Sequence, residues 1–201
     1  MTIDSKNMLS SILESISRID YIKPGQIPNI DLYMDQVTTF MEEGLERTKR
    51  YSEDKILTKT MINNYAKNNL LPPPVKKKYS REHILTLIFI YYFKNLLSIK
   101  DIEILLEPIT SKYFGSDSDF SMTDIYEDVC ALEKSRIDSM AKDIARIYKT
   151  SLDTFADAPK EDQAMLQNFS FICSLAFDVY VKKQVIEKLI DDMPKPEPKK
   201  K

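Results

Sequence analysis

The 201-residue chain has three glycines, no tryptophan, one histidine and two cysteines. Each scarcity excludes something. A turn-rich sandwich or barrel needs glycine wherever its backbone takes positive φ, and three glycines cannot serve such a fold. Leu, Ile, Met, Lys and Glu are plentiful instead, and they favour helices. An all-α fold is therefore expected. A single histidine, His83, leaves a metal site short of ligands and a general base without an evident nucleophile partner. It reads as a structural residue or one close to a phosphate. Cys130 and Cys173 stand 43 positions apart, and neither has a ligand partner at short spacing. Both read first as small buried hydrophobes in helices and second as a redox or metal-sensing pair. Asp117 and Asp119 in GSDSDFS lack the central glycine and closing glutamate of a calcium loop. No P-loop, dinucleotide fingerprint or nucleophile elbow occurs, so no enzyme activity, cofactor or metal is expected.

Long apolar runs are missing too. The most apolar stretch, ILTLIFIYYF at 84–93, has ten residues. A membrane span takes about twenty, so this stretch reads as a core helix. Asp4 and Glu14 interrupt the N-terminal region, which has no basic stretch followed by an apolar run. The expectations are a cytoplasmic location and no membrane partner.

Charge is present in quantity and unevenly placed. The whole chain carries net −2. Residues 1–46 carry net −5, residues 47–100 net +9, residues 101–194 net −9 and residues 195–201 net +3. The balanced total hides one strongly basic segment, the footprint expected of nucleic-acid binding in one place only.

Residues 5–19 place Met8, Leu9, Ile12, Leu13, Ile16 and Ile19 on one helical face. Pro24, Gly25 and Pro28 mark a loop. Asn29 or Asp31 can cap a next helix in which Tyr33, Val37, Phe40 and Met41 share a face and Gly44 lies near the end. Thr58 caps a helix over 57–71, with Ile62, Tyr65 and Ala66 facing inward and Lys59, Thr60, Asn63, Asn64 and Lys67 outward. Pro72 stops it, and Pro72–Pro74 form a stiff extended stretch. Ser80 caps the next helix, with a stripe of Ile84, Leu87, Ile88, Tyr91 and Tyr92. Ser98 and Asp101 open a short helix that Pro108 is expected to end. KYFGSDSDFS at 112–121 reads as a turn. A helix of about 28 residues carrying Ile125 to Ile147 follows, and another spans about 160–192 with two apolar faces, as in a central helix or a dimer helix. PKPEPKKK is disordered by composition.

The basic turn Lys76, Lys77 and Lys78 lies between a helix with a polar outer face and an apolar helix that starts at once. Asn, Thr and Lys on a helix can read base edges, and lysines in an adjacent turn can reach phosphates. Tyr79 reads first as an anchor of this turn on the core and second as a DNA contact.

The stretch Thr58–Leu106 resembles the winged helix-turn-helix of the MerR (mercury-resistance regulator) superfamily. The resemblance rests on Thr58 as cap, on Tyr65, on Leu70-Leu71-Pro72 as helix end and on Lys77-Lys78-Tyr79 as wing motif. Ser80 and Glu82 open the next helix, and Leu97-Ser98-Ile99-Lys100-Asp101-Ile102 is similar to the short helix after the wing. Asn63 and Asn64 stand where that family has arginine and tyrosine, Asn69 stands for its glycine, and the wing lacks an Asn-Gly turn. Residues 27–130 also resemble a bacterial family described as a domain of unknown function (DUF1836). The carriers are Ile27-Pro28-Asn29-Ile30-Asp31-Leu32-Tyr33-Met34-Asp35-Gln36, Asn63-Asn64-Tyr65 and Leu71-Pro72-Pro73-Pro74. The resemblance implies a transcriptional regulator.

The expected organisation is an N-terminal helix and linker at 1–28, a helix-turn-helix DNA-binding domain at 29–107, an acidic helical dimerisation or regulatory domain at 120–192, and a tail at 193–201. The expected function is sequence-specific binding of double-stranded DNA by a homodimer. Lys59, Thr60, Asn63 and Asn64 would stand nearest base edges, and Lys67, Lys76, Lys77, Lys78 and Arg81 would hold phosphates. The sequence leaves any small-molecule effector unspecified. The rival reading is a helical adaptor whose basic face binds an acidic protein partner or the chain's own acidic domain.

Overall fold

A computed structural model describes residues 22–194, together with Ser10, Ser11 and Glu14. The three isolated positions are helical; the rest of the expected 5–19 helix and residues 195–201 lie outside the described residues. Strand β1 (Leu32–Tyr33) leads into helix α1 (Met34–Leu45), followed by α2 (Lys59–Lys67), strand β2 (Lys78–Tyr79), α3 (Arg81–Phe93), α4 (Ile99–Tyr113), α5 (Met122–Ser151) and α6 (Lys160–Asp191). The protein is therefore mostly helical, as expected, with one small antiparallel sheet that pairs Leu32 with Tyr79 and Tyr33 with Lys78. The described residues divide into two compact units, one of residues 22–130 with 187–194, the other of residues 131–186 with Ser10, Ser11 and Glu14.

In the first unit α3 is the central element. His83 through Tyr91 are all buried, rather than the single stripe expected from spacing. A helix apolar all round needs neighbours all round. The other buried side chains of this unit include Val37, Met41 and Leu45 of α1, Ile62 and Tyr65 of α2, and Ile102, Ile104 and Leu106 of α4. Tyr126, 1% exposed, closes the unit by donating its hydroxyl to the Ile22 carbonyl at 2.7 Å. Gly44 makes room for Ile22, because a Cβ there would stand 2.7 Å from the Ile22 Cδ1 atom and that side chain would have to shift.

Three expectations change here. Helix α1 begins at Met34, so Tyr33 belongs to β1 and is exposed, not on an inward helical face. Backbone pairing with Lys78 fixes its direction. Helix α4 runs through Pro108 to Tyr113. The Ser98–Asp101 capping box starts it, and Phe114 beyond its end packs edge-on to the His83 ring at 4.7 Å, so both ends are held despite the proline. Cys130 is half-buried and Cys173 exposed, and the two do not form a disulfide.

In the second unit the helical stretches of α5 and α6 form a hairpin. Gln163 donates to the carbonyls of Ala156 and Ala158, and Gln167 to those of Leu152 and Thr154, which fastens the connecting turn. Phe171 packs edge-on to Tyr148 at 5.2 Å, and both are buried. Helix α6 departs most from expectation. Of its 32 residues only Phe171 and Ile190 are buried, although its composition suggested two buried faces.

Candidate nucleic-acid interface

Thr58 caps α2, its Oγ1 accepting the Met61 N–H at 3.2 Å. Ile62 and Tyr65 are buried, and burial pushes the Tyr65 phenol above its ordinary value. With two anchors fixing the rotation of this nine-residue helix, Lys59, Thr60, Asn63, Asn64 and Lys67 are all exposed. At 100° per residue those five positions share an arc of about 140°. Lys59 is ion-paired with Asp35 in the first turn of α1, which leaves Thr60, Asn63, Asn64 and Lys67 as the open part of the face.

The helix ends through Asn69, at φ +59°, which turns the chain so that the amides of Leu70 and Leu71 both reach the Tyr65 carbonyl. Leu70 and Leu71 are buried. This is the left-handed exit that glycine or asparagine supplies. The prolines then carry the chain to a two-residue hairpin. Val75 and Lys78 exchange both backbone hydrogen bonds, at 2.9 and 3.1 Å, with Lys76 and Lys77 between them. Lys76 has φ +49° and Lys77 φ +64°. Positive φ at both central residues is the requirement of a type I′ turn, normally met by Asn-Gly. A lysine in that region costs about 1–2 kcal/mol. Two adjacent lysines are thus held, against local preference, at the exposed tip of a hairpin.

The base of the hairpin is built into the core. Tyr79 is 3% exposed and meets the His83 ring edge-on at 5.4 Å, which bears out its role as an anchor. Lys78 places its ammonium 5.4 Å above the Tyr33 ring. His83 is the part of this arrangement that spacing did not reveal. Its Nδ1 accepts the Ser80 N–H at 2.9 Å, capping α3, so the neutral ring carries its proton on Nε2. Burial pushes the imidazole below its ordinary value, against the opposing pull of the Pro73 carbonyl, Glu82, the Pro72 carbonyl and Asp31. One ring therefore ties strand β2, the start of α3 and the end of α4 together.

Arg81 is engaged internally. Its guanidinium donates to the carbonyls of Ile27 and Pro24, both at 2.8 Å, and to Thr123 Oγ1 at 3.2 Å. This bolts the 24–27 turn to the starts of α3 and α5 and takes Arg81 out of the phosphate-facing group. The segment between α1 and α2 spans 46–58, longer than the 3–4-residue turn of a compact helix-turn-helix. It is nevertheless fixed. Glu42 accepts the Ile56 N–H and is ion-paired with Lys49, and Lys94 donates to the Ile56 carbonyl at 2.8 Å. The Lys49 contact holds the Glu42 carboxyl below its usual value.

A concavity of about 530 Å³ lies between α5 and α6 and includes Arg146, Ser151, Ser174, Phe177 and Asp178 in its wall. The hydroxyls of Thr150, Ser151, Thr154 and Ser174 in its wall are spent on backbone carbonyls. Ser151 donates to the Tyr148 carbonyl and Ser174 to that of Ser170. It offers no converging set of free donors. Among the described residues no group of three or more His, Cys, Asp or Glu is placed to hold a metal ion.

No curated protein and no solved structure matches the chain. The family model described as a domain of unknown function (DUF1836) matches residues 22–129. That interval ends within one residue of the first unit's long segment, so the family module and the unit that carries the basic hairpin coincide. The chain belongs to the DUF1836 family.

Proposed function

We propose that the protein binds double-stranded DNA sequence-specifically, as a bacterial transcriptional regulator acting in the cytoplasm, through a winged helix-turn-helix similar to that of the MerR superfamily. The observation that carries this reading is the hairpin tip. A Lys-Lys pair at two positive-φ positions is the wrong choice for stability and the right one for presenting two cations on a rigid arm. The element order β1-α1-α2-hairpin-α3-α4 supports the MerR-type comparison. Helix α2 enters the major groove with Thr60, Asn63 and Asn64 nearest base edges and Lys59 at the rim, shared with Asp35. Lys67, Lys76, Lys77 and Lys78 neutralise phosphates. A regulator of this kind reads two half-sites as a homodimer.

The test is selection of bound fragments from genomic DNA, followed by affinity measurement across salt concentrations. The expected result is a shared sequence in the selected fragments and a slope of log K against log salt of about −7 for the dimer, from about four neutralised phosphates in each half-site. Failure to enrich any sequence removes the reading. The adaptor reading has one observation in its favour, the exposed apolar side chains of Val75 and Tyr33 beside the lysines. It gains if the same surface captures an acidic protein while DNA binding is absent.

A further inference from the structure

Helix α6 presents an uncovered apolar seam. Met165, Phe169, Ile172 and Val179 are each more than half exposed, and Ala176 between them is exposed as well. Their spacing of 4, 3, 4 and 3 is the a/d repeat of helices that pair side by side. In the first half of α6 the opposite face is already used, since Phe171 is buried against Tyr148 and Gln163 and Gln167 hold the turn. Scattered exposed leucines need no explanation, but a continuous seam of large side chains along one helix does.

We propose that this seam is covered by a second copy of the chain running antiparallel, so that two α5–α6 hairpins form a four-helix bundle about a twofold axis. A twofold interface uses the same patch twice, so the patch must complement itself. The charges at the two ends of the seam meet that condition in one orientation. Residues 157–162 carry three carboxylates, Asp157, Glu161 and Asp162, against Lys160. Toward the other end stand Lys182 and Lys183, followed by Glu187 and by Lys188, which is ion-paired with Asp192, so the basic patch is confined to Lys182 and Lys183. Antiparallel pairing centred near Ile172 sets Glu161 and Asp162 of each copy beside Lys183 and Lys182 of the other. Parallel pairing would set lysine against lysine and carboxylate against carboxylate.

By length and composition α6 is also apolar enough to cross a membrane, with 6% of its most apolar window buried. The neighbouring side chains argue for a protein occupant. Asp178 lies within that helix, and Arg146 of α5 lines the same cleft as Asp178 and Phe177. Charges at mid-span are costly in a bilayer and are readily accommodated at the rim of a helical bundle.

The dimer does not depend on DNA binding and is tested apart from it, by sedimentation equilibrium of the full chain without nucleic acid. A dimer is expected. Phe169→Glu with Ile172→Glu should raise its dissociation constant about 100-fold or more while the helical circular dichroism stays intact, since both positions are on the surface. Lys182→Glu with Lys183→Glu should weaken the dimer about tenfold, and adding Glu161→Lys with Asp162→Lys should restore it to within a few-fold. A wild-type monomer at high micromolar concentration overturns the proposal, whether or not it adheres to phosphatidylcholine vesicles. So does a dimer indifferent to the paired Phe169→Glu and Ile172→Glu substitutions. A charge reversal that the second reversal fails to rescue overturns the antiparallel arrangement.

Discussion

Replacing Lys76-Lys77 by Asn-Gly is expected to stabilise the fold and weaken DNA binding at the same time. The hairpin needs positive φ at both positions, +49° and +64° in this chain. Relieving a lysine there gains about 1–2 kcal/mol, and glycine gives back about 0.5–1 kcal/mol through the greater freedom of its unfolded state. Asparagine tolerates the region, so the pair together should gain about 1–2 kcal/mol. With a urea slope of about 2 kcal/mol/M, the unfolding midpoint rises by about 0.5–1 M. The same change removes two of four proposed phosphate contacts in each protomer. Wild-type dimer affinity should fall about 20,000-fold between 50 and 200 mM salt, and that of the variant about 150-fold. Urea unfolding followed by circular dichroism and fluorescence-anisotropy titration at four salt concentrations measure both quantities. A variant that is more stable but keeps the wild-type salt dependence would refute the assignment of Lys76 and Lys77 to phosphates. A variant that is less stable would refute the account of the turn.

Asn63→Ala is expected to relax sequence preference at one operator position by about 1–3 kcal/mol, read by competition among single-base variants. Uniform weakening across all of them would make Asn63 a phosphate contact. Arg81→Ala should cost about 2–3 kcal/mol of stability, through the loss of two charge-assisted bonds to the Ile27 and Pro24 carbonyls, and should leave the salt dependence of DNA binding unchanged. A reduced salt slope would return Arg81 to the phosphate group. His83 is the only histidine, and its folded-state value is depressed. Below about pH 6.5 the unfolded chain takes up a proton before the folded one does, so the contribution is complete above that value and is lost as pH falls through the folded value. The urea midpoint should drop between pH 7 and 5 in the wild type, and His83→Gln should show a flatter profile over that window. Equal slopes in the two proteins would remove His83 from the account.

The residues of α2 were legible because a short helix with one cap and two anchors has a single solution. Thr58 fixed its start, Ile62 and Tyr65 fixed its rotation, and the polar face followed. The asymmetric charge located the basic segment for a similar reason, since charge clusters are a property of composition. The left-handed exit at Asn69 was foreseeable because few residue types can occupy that conformation. Arg81 was not legible. Its position in the chain puts it next to the basic turn, but its guanidinium reaches carbonyls 54 and 57 residues away, and no local pattern encodes such a partner. His83 was invisible as a brace for the same reason. Spacing named it structural, and only packing showed the elements it joins.

Pattern and structure also part at helix termini and faces. Proline was expected to end α4 at 108, yet contacts on both sides hold the helix through it. Periodicity marks a face as apolar without saying what covers it. It correctly found an apolar α3 and an apolar α6, but α3 is surrounded and the seam of α6 is open. What the sequence determined by itself was local: the helices, their caps, the charge of each segment and the stiffness of Pro72–Pro74. What only the tertiary structure decided was non-local: the Lys-Lys turn closed by Val75 and Lys78, the internal role of Arg81 and the bare face of α6. The physical reason is one of range. Caps, propensities and charges act over a few residues, whereas a side chain's partner and a helix face's cover are set by segments that meet only when the chain folds.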